Sequence, residues 1–392
     1  MAAPEVPFGN YQYEIYLRGL ADERPELPVT YSALEERARE ALPPEAFGYV
    51  AGGAGEERTV RANREAFEAW RILPRMLRDV AQRDLSTSVL GTEFPAPAML
   101  APIGVLGIVH EEGEVAAARA AAEVGIPAVL STSSSRTIEE FAEAMGHTPR
   151  WFQLYWPTDQ ELAASFVSRA EQAGYSAIVV TLDTRLLAWR PRDIEAAYLP
   201  FLKGEGIANY ISDPVFRAGL EKSPEEDMQA AIMHWVGQFP NPALTWEDLA
   251  FLRGRTQLPI VLKGVLDPDD LPRAVDAGVD GVIVSNHGGR QVDGSVAALD
   301  ALPEVVDAAP GDFPVLFDSG IRSGSDIFKA LALGAAAVLI GRPYVLGLGL
   351  GGAEGARDVL RGLLADFDLT MALSGYTRLG ELGRDALRPA RR

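Results

Sequence analysis

The chain has 392 residues, 47% of them hydrophobic, which is enough for a large core in one big domain or two ordinary ones. Its net charge of −19 argues against nucleic acid or an anionic membrane surface as a partner. Because it has no cysteine, disulfides and thiolate catalysis are excluded.

The N-terminus lacks the features of a signal peptide, and no apolar stretch is long enough to span a bilayer. We therefore expect a cytoplasmic protein. Four histidines without paired spacing give no sign of a zinc site, and no metal is expected: His110, His147, His234 and His287.

The first part of the chain, residues 1–97, is interpreted as a helical extension that leads into the main fold. Residues 31–42 form an amphipathic pattern that the prolines at 43 and 44 end. A shorter helix through Phe47 and Val50 runs into a glycine-rich stretch. Tyr49 lies on this helix, and its hydroxyl matters only if it reaches a cavity.

A repeating unit begins near residue 98, in which an apolar run ends on a polar residue or glycine and a helical stretch follows. The predicted strands are 98–104, 127–132, 151–155, 177–183, 259–264, 281–288, 314–320 and 337–343. The predicted helices between them include 111–124, 158–173, 267–277 and 323–333. Eight strands alternating with helices predict an α/β fold of the (β/α)₈ TIM barrel type. A doubly wound open sheet is the alternative, but no Gly-x-Gly-x-x-Gly follows an early strand.

One connection interrupts the repeat, because about 75 residues separate the predicted strands four and five. A structureless loop of this length is rare in a compact domain and usually acts as a lid. The alternative is a surface excursion that packs against a neighbouring subunit, and both can hold. We therefore predict a single domain over 1–392, with the barrel at 98–365, a lid at 190–246 and a C-terminal helical segment at 366–392.

The predicted strands end on residues that can do chemistry. In a (β/α)₈ barrel the active site lies at the C-terminal ends of the strands. His287 follows a buried apolar run, with Arg290 three residues on, and a base beside a cation suits removal of a proton from an anionic substrate. The residues at the eight strand ends are Ile103 and Gly104, Ser131, Gln153 and Tyr155, Thr181 and Asp183, Lys263, Ser285 and His287, Asp318 to Gly320, and Gly341 with Arg342.

The ends of strands seven and eight predict a phosphate site. Glycines expose backbone N–H groups there, the helix after Ser323 offers its positive end, and Arg322 and Arg342 add charge. Such a site also suits a phosphosugar isomerase or lyase, in which Lys263 could form a Schiff base. A barrel kept as an assembly scaffold is the non-enzymatic alternative. Polar residues at the first four strand ends favour a larger ligand with a flat heterocycle, beside which Lys263 places positive charge.

The motif at 285–291, Ser-Asn-His-Gly-Gly-Arg-Gln, resembles the active-site signature of the FMN-dependent α-hydroxy acid oxidising enzymes, the glycolate oxidase and lactate oxidase family. The likeness covers almost the whole chain, and within the family it is greatest to the lactate 2-monooxygenase branch. Further segments that carry the family likeness are 49–55, 152–155, 181–184, 261–264, 318–322 and 340–343. The likeness to the lactate 2-monooxygenase branch rests on 8–16, 101–104, 189–193 and 209–216.

The resemblance implies a role for each matching residue. His287 would remove the substrate proton, and Asp183 would stabilise the imidazolium. Arg190 and Arg290 would clamp the substrate carboxylate, and Lys263 would stabilise the anionic reduced flavin near N1. Two tyrosines would hydrogen-bond the substrate: Tyr49 and Tyr155. The implied flavin and ribityl contacts are Pro102, Ile103, Gly104, Ser131, Gln153, Thr181 and Ser285. The implied phosphate site comprises Asp318, Ser319, Gly320, Ile321, Arg322, Gly341 and Arg342.

The resemblance also implies an activity: FMN-dependent oxidation of a small L-2-hydroxy acid, L-lactate first, by O₂, in a homo-oligomer (tetramer or octamer). If the keto acid stays bound, the products are acetate, CO₂ and water. If it leaves first, the enzyme is an oxidase that releases H₂O₂. Many family oxidases have Thr-Ala where this chain has Ile103-Gly104, which predicts more open packing near flavin N5. The run from Ser133 to Arg136 also departs from the family pattern.

Overall fold

The computed structural model describes residues 6–390 and contains a closed barrel of eight parallel strands, as predicted. The last strand pairs with the first, with Val338 opposite Ala98 and Ile340 opposite Leu100. Seven of the eight strands end before their predicted C-terminal limits, and β5 ends one residue beyond its limit. The chain turns away at these ends; His287, for example, has a φ of 58°. The barrel strands are β1 (Ala98–Leu100), β2 (Ala128–Ser131), β3 (Arg150–Leu154), β4 (Ile178–Thr181), β5 (Ile260–Val265), β6 (Gly281–Val284), β7 (Val315–Phe317) and β8 (Val338–Ile340).

Helices surround the barrel and include the four that the sequence predicts. Their amphipathic faces pack on the strands, and left-handed glycines such as Gly125 end them. The helices that follow successive strands are Glu114–Val124, Ile138–Met145, Gln160–Gln172, Leu249–Arg253, Asp270–Asp276, Ala298–Ala308, Gly324–Ala332 and Arg342–Leu373.

The interior of the barrel is filled with side chains and is closed at one end by a short hairpin. The hairpin strands Thr87–Val89 and Thr92–Phe94 precede β1. Phe94 packs edge-on against Trp151 with ring centroids 6.3 Å apart, and Trp151 Nε1 donates to Thr92 Oγ1 at 2.9 Å. The barrel is thus a solid support, and the open end for a ligand lies at the strand C-termini.

The N-terminal extension is helical as predicted, apart from this hairpin and the strand Trp70–Ile72. Its third helix brings Tyr49 to the C-terminal end of the barrel. Helix C-termini leave carbonyl groups without partners, and here arginines from the barrel loops satisfy them. The helices of the extension are Tyr11–Gly19, Tyr31–Ala41, Pro44–Ala51 and Arg58–Glu68.

The long connection after β4 is not a structureless loop. Buried aromatic side chains give it a core of its own, in which Phe201 stacks on Trp235 with centroids 4.7 Å apart. Asn209 ties this core to the barrel, because its Nδ2 donates to Thr132 O at 3.1 Å and its Oδ1 accepts from Ile138 N at 2.9 Å. The helices within the connection are Pro191–Glu195, Ala208–Ile211, Pro214–Ala218 and Met228–Gln238.

The predicted helical segment at 366–392 is wrong for the described residues up to 390. The helix Arg342–Leu373 crosses its start, and Gly375, with a φ of 81°, follows the helix end. Beyond it lie two 3₁₀ turns and the strand Leu387–Pro389, which pairs antiparallel with Trp70–Ile72. Glycines at 375, 380 and 383 favour this break.

Residues 6–390 contain neither a membrane-spanning helix nor a cluster of metal-binding side chains. The helices in this part of the chain are all too short or too polar to cross a membrane. Within the same residues, no three His, Asp or Glu side chains gather where they could hold a metal ion.

Candidate active site

A cleft of about 1110 Å³, including its mouth to solvent, opens at the C-terminal ends of the barrel strands. The loops after β1 and β6 to β8, the helix Pro44–Ala51 and the connection after β4 all contribute to its walls. Of the sequence-predicted residues, the structure places these on the cleft surface: Tyr49, Pro102, Ile103, Gly104, Ser131, Tyr155, Arg190, Lys263, His287, Arg290, Asp318, Ser319, Gly320, Ile321, Arg322, Gly341 and Arg342.

The predicted base and its partner are in direct contact. His287 Nδ1 lies 2.7 Å from Asp183 Oδ1, and the Tyr155 hydroxyl lies 3.4 Å from His287 Nε2. Thr184 Oγ1 donates to Asp183 Oδ1 at 2.8 Å. The backbone of His287 is in the left-handed region, a strained conformation for a non-glycine residue that is often found at functional sites. Asp183 therefore holds the Nδ1 nitrogen of His287, and the Nε2 nitrogen faces the Tyr155 hydroxyl.

The electrostatics of this pair favour a neutral histidine beside an ionised carboxylate. Burial lowers the pKa of His287 below its ordinary value, and the attraction of Asp183 does not fully offset this. Burial would raise the pKa of Asp183, but the neighbouring His287 and Lys263 bring it down to about 2. At neutral pH, His287 is thus free to accept a proton.

A pH dependence follows from these shifts. Because the pKa of His287 lies below the ordinary value of about 6.5, kcat/KM for a hydroxy acid should be level above that pH and fall on acidification below it. A pH profile of kcat/KM measures this directly. A loss of activity on raising the pH from 6.5 to 8 would contradict a neutral base.

Two arginines are fixed at the cleft. Arg290 Nη1 donates to the carbonyls of Tyr49 and Gly52, and its guanidinium lies 4.9 Å from the centroid of the Tyr49 ring. Arg190 Nε donates to Arg290 O at 3.1 Å. Burial, with Arg190 close by, lowers the pKa of Arg290 to about 10, which still leaves it charged at neutral pH. The pair therefore supplies two positive charges to bind an anion.

Lys263 lies on β5 and is only 4% exposed. Its Nζ is 3.1 Å from Asp318 Oδ2 and donates to Ser285 Oγ at 3.0 Å. Burial would lower the pKa of Lys263, but the carboxylates of Asp318 and Asp183 more than offset this and raise it. A buried cation is thus kept at the floor of the cleft. Asp318 is engaged in this ion pair, and its negative charge would repel a phosphate. It therefore does not suit the phosphate-binding role that the sequence resemblance implied.

At the phosphate corner, Arg342 was predicted to bind phosphate, but its guanidinium is bonded mainly to the protein backbone. Its guanidinium donates to the carbonyls of Val50, Gly52 and Gly288 at 2.8 to 2.9 Å, so much of it is committed to backbone. Arg322 instead lies 4.0 Å from the ring centroid of Tyr31, beside a turn in which Ser319 has a φ of 82°. Arg322 is therefore the arginine with more donors left for a phosphate.

The predicted flavin contacts Gln153, Thr181 and Ser285 are buried just behind the cleft surface. Gln153 Oε1 accepts from Ser131 Oγ at 2.9 Å, while Gln153 Nε2 is buried with no hydrogen-bond partner within residues 6–390. A buried amide donor without a partner costs free energy unless a ligand accepts from it. These residues therefore fit a ligand with acceptor groups at this end of the cleft, as a flavin ring has.

The prediction of open packing at Gly104 is wrong. A Cβ built on Gly104 would lie 2.3 Å from Ser133 O and 3.0 Å from Ser133 Cβ. The glycine is thus required because the loop after β2 packs directly on it, and Val105 N donates to the same Ser133 carbonyl at 2.8 Å.

Several cleft residues were missed from the sequence. Apolar side chains from the connection after β4 form part of the wall, and Phe239 packs on Tyr155 with centroids 5.3 Å apart. Only the folded connection shows this, although Thr184 could have been suspected from its position next to Asp183. The missed cleft residues include Val105, Leu106, Ile108, Val109, Thr184, Leu187, Phe201 and Phe239.

A barrel with a phosphate corner, a buried cation under the cleft and a base beside two arginines fits the class of enzymes that bind a phosphorylated cofactor and an anionic substrate. Comparison with known proteins identifies the family. Residues 38–389 match the model of the FMN-dependent dehydrogenase family, and the chain belongs to it. FMN is its cofactor, and its activity is FMN-dependent oxidation of a 2-hydroxy acid.

The relatives span nearly the whole chain. The chain is 45% identical to FMN-dependent alpha-hydroxy acid dehydrogenase qulF of Penicillium citrinum, covering 98% of this chain and 97% of the relative. It is 44% identical to an L-lactate oxidase of Lysinibacillus sphaericus, covering 93% and 94%. A crystal structure of mandelate oxidase superimposes with a TM-score of 0.81 at 39% identity, covering 93% of this chain and 98% of that one. The family and fold predicted from the sequence are therefore confirmed.

Proposed function

We propose that this protein oxidises a small L-2-hydroxy acid, with L-lactate the first candidate, and uses O₂ as the electron acceptor. The observation that carries the proposal is the contact of 2.7 Å between His287 and Asp183 at a cleft that also holds Arg190 and Arg290. Two relatives named L-lactate oxidase, each 44% identical to this chain, support both the substrate and the acceptor.

In this proposal the chain's own residues bind the acid and remove its proton. Arg190 and Arg290 hold the carboxylate, and the Tyr49 and Tyr155 hydroxyls orient the substrate. Burial raises the pKa of Tyr155, so its phenol remains a donor. His287 accepts the proton through Nε2, and ionised Asp183 stabilises the imidazolium that forms. When bound, FMN would supply the redox chemistry, which is a two-electron oxidation of the substrate with O₂ as the final acceptor.

The same proposal assigns the FMN-binding residues. Lys263 would provide positive charge to the bound flavin, and Gln153 Nε2 would donate to an acceptor on its ring. Arg322 and the backbone of the turn after β7 would bind the phosphate. Arg342, held by three carbonyls, mainly joins the helix Pro44–Ala51 to the loop after β6. Asp318 keeps Lys263 charged and in place.

We further propose that the connection after β4 acts as a lid and that the outcome is the lactate 2-monooxygenase reaction. Leu187, Arg190, Phe201 and Phe239 of this connection form part of the cleft wall, which supports slow escape of the keto acid. Lactate and O₂ would then give acetate, CO₂ and water. An oxidase giving pyruvate and H₂O₂ is the second candidate, and the relatives named L-lactate oxidase favour it.

Product analysis in air tests this outcome. With L-lactate as substrate, acetate and CO₂ should exceed pyruvate and H₂O₂, because peroxide meets the keto acid before either leaves. Quantifying all four products against O₂ consumed distinguishes the candidates, with added catalase as a control for reaction in solution. Stoichiometric release of H₂O₂ would make the protein an oxidase and leave the oxidation of the hydroxy acid unchanged.

The oligomeric state also remains a proposal: a homo-oligomer, tetramer or octamer. Its support is a set of exposed apolar side chains at the start of the connection after β4. Leu186 and Trp189 are 57% and 72% exposed, and neighbouring exposed apolar side chains of this kind are typical of protein–protein contacts.

A further inference from the structure

Gln291 directly follows Arg290, and the mechanism above gives it no role. Its side chain connects two parts of the site. Its Oε1 accepts from Arg190 Nη2 at 2.6 Å, and its Nε2 donates to Asp183 O at 2.9 Å and Leu186 O at 3.3 Å. It therefore joins the loop that carries His287 to the segment that carries both Asp183 and Arg190.

The orientation of the Gln291 amide is fixed by its partners. An arginine only donates hydrogen bonds, so the amide oxygen must face Arg190. The two carbonyls only accept, so the amide nitrogen must face Asp183 and Leu186. No other residue type of this size offers an acceptor and two donors on one planar group. A reversed amide would lose all three contacts at once.

Arg190 depends on this arrangement for its direction. It is 8% exposed, and its long side chain comes from the start of the connection after β4, where the flanking Trp189 is exposed. Nε is bound to Arg290 O, and Nη2 is bound to Gln291, which fixes the plane of the guanidinium. Among the hydrogen bonds of residues 6–390, none uses Arg190 Nη1, so that nitrogen is left for a ligand.

We propose that Gln291 is a positioning residue that orients Arg190 toward the substrate carboxylate. By bonding both residues, it also fixes the position of Arg190 relative to Asp183. This inference rests on the proposed function, in which Arg190 binds that carboxylate. Gln291 also lines a second cleft behind Asp183, so it lies between that cleft and Arg190 without contacting the reacting atoms.

The test compares Gln291→Leu, Arg190→Leu and the double variant as FMN-loaded enzymes. Oxalate serves as the probe, since it presents carboxylates and is not oxidised at a C–H bond, and its binding is followed by flavin absorbance. Gln291→Leu should weaken oxalate binding about tenfold, the scale of a lost hydrogen bond to a charged group. The KM for L-lactate should rise similarly while kcat changes less than about threefold, because binding rather than proton transfer is affected. Gln172→Leu, on an exposed helix face, is the matched control.

The outcomes separate this inference from the proposed function. If Gln291 acts through Arg190, the double variant binds oxalate no more weakly than Arg190→Leu alone. If Arg190→Leu weakens binding but Gln291→Leu binds oxalate like the unmodified protein, the positioning role is overturned and the carboxylate clamp stands. If Arg190→Leu leaves oxalate binding unchanged, the clamp itself is wrong, and the role of Gln291 falls with it. Equal FMN content and equal Tm across the variants would show that misfolding does not cause the change.

Discussion

Replacing His287 by Gln should slow the anaerobic reduction of bound FMN by L-lactate at least ~100-fold, the low end for loss of a general base. Glutamine keeps a polar side chain of similar reach but cannot take up the substrate proton. FMN should remain bound, because the cation Lys263 and the turn after β7 are untouched. Stopped-flow absorbance of the flavin measures the rate.

The matched control for this variant is His147→Gln, since His147 is exposed and lies outside the cleft. It should reduce FMN at the unmodified rate. If the His287 variant also reduced FMN at that rate, the base would have to be another residue.

Replacing Asp183 by Asn should also slow FMN reduction, by roughly 10²-fold. The amide keeps the shape of Asp183 but loses the negative charge 2.7 Å from His287 Nδ1, which in the proposed mechanism stabilises the imidazolium. An ionised neighbour at this distance shifts a pKa by one to three units, which corresponds to about 10- to 1000-fold in the stability of the protonated base. Stopped-flow reduction with L-lactate, together with the pH profile of the variant, measures both effects.

The charge of Asp183 can be separated from its position. Thr184→Val removes the hydroxyl that donates to Asp183 Oδ1 and leaves the charge, so it should have a much smaller effect. The matched control is Asp312→Asn, at an exposed acid, and it should reduce FMN at the unmodified rate. Equal rates for the Asp183 variant and the unmodified protein would remove Asp183 from the mechanism.

The fold and most of the site were predictable because local signals agree with one another. Each barrel strand is an apolar run that ends on a polar residue or glycine, and parallel strands bring those ends to one side. His287 and Asp183 are 104 positions apart in the chain, yet both follow strands, so the barrel places them together. The motif at 285–291 then indicated the chemistry.

Other features depend on contacts that a local pattern does not encode. The aromatic core of the connection after β4 forms from residues far apart in sequence, such as Phe201 and Trp235, so it resembled a loop. Gly104 predicted open packing because the sequence does not show that Ser133, on the next loop, packs directly against it. Arg342 looked like a free phosphate ligand, although carbonyls from two distant segments occupy much of its guanidinium.

In the proposed function, this cleft removes the proton from a 2-hydroxy acid, and bound FMN becomes reduced. The most direct test is anaerobic mixing of the FMN-loaded protein with L-lactate, D-lactate, glycolate and (S)-mandelate. We predict that L-lactate bleaches the flavin absorbance fastest and that D-lactate leaves it unchanged. Retention of the oxidised flavin spectrum with every one of these acids would contradict the account.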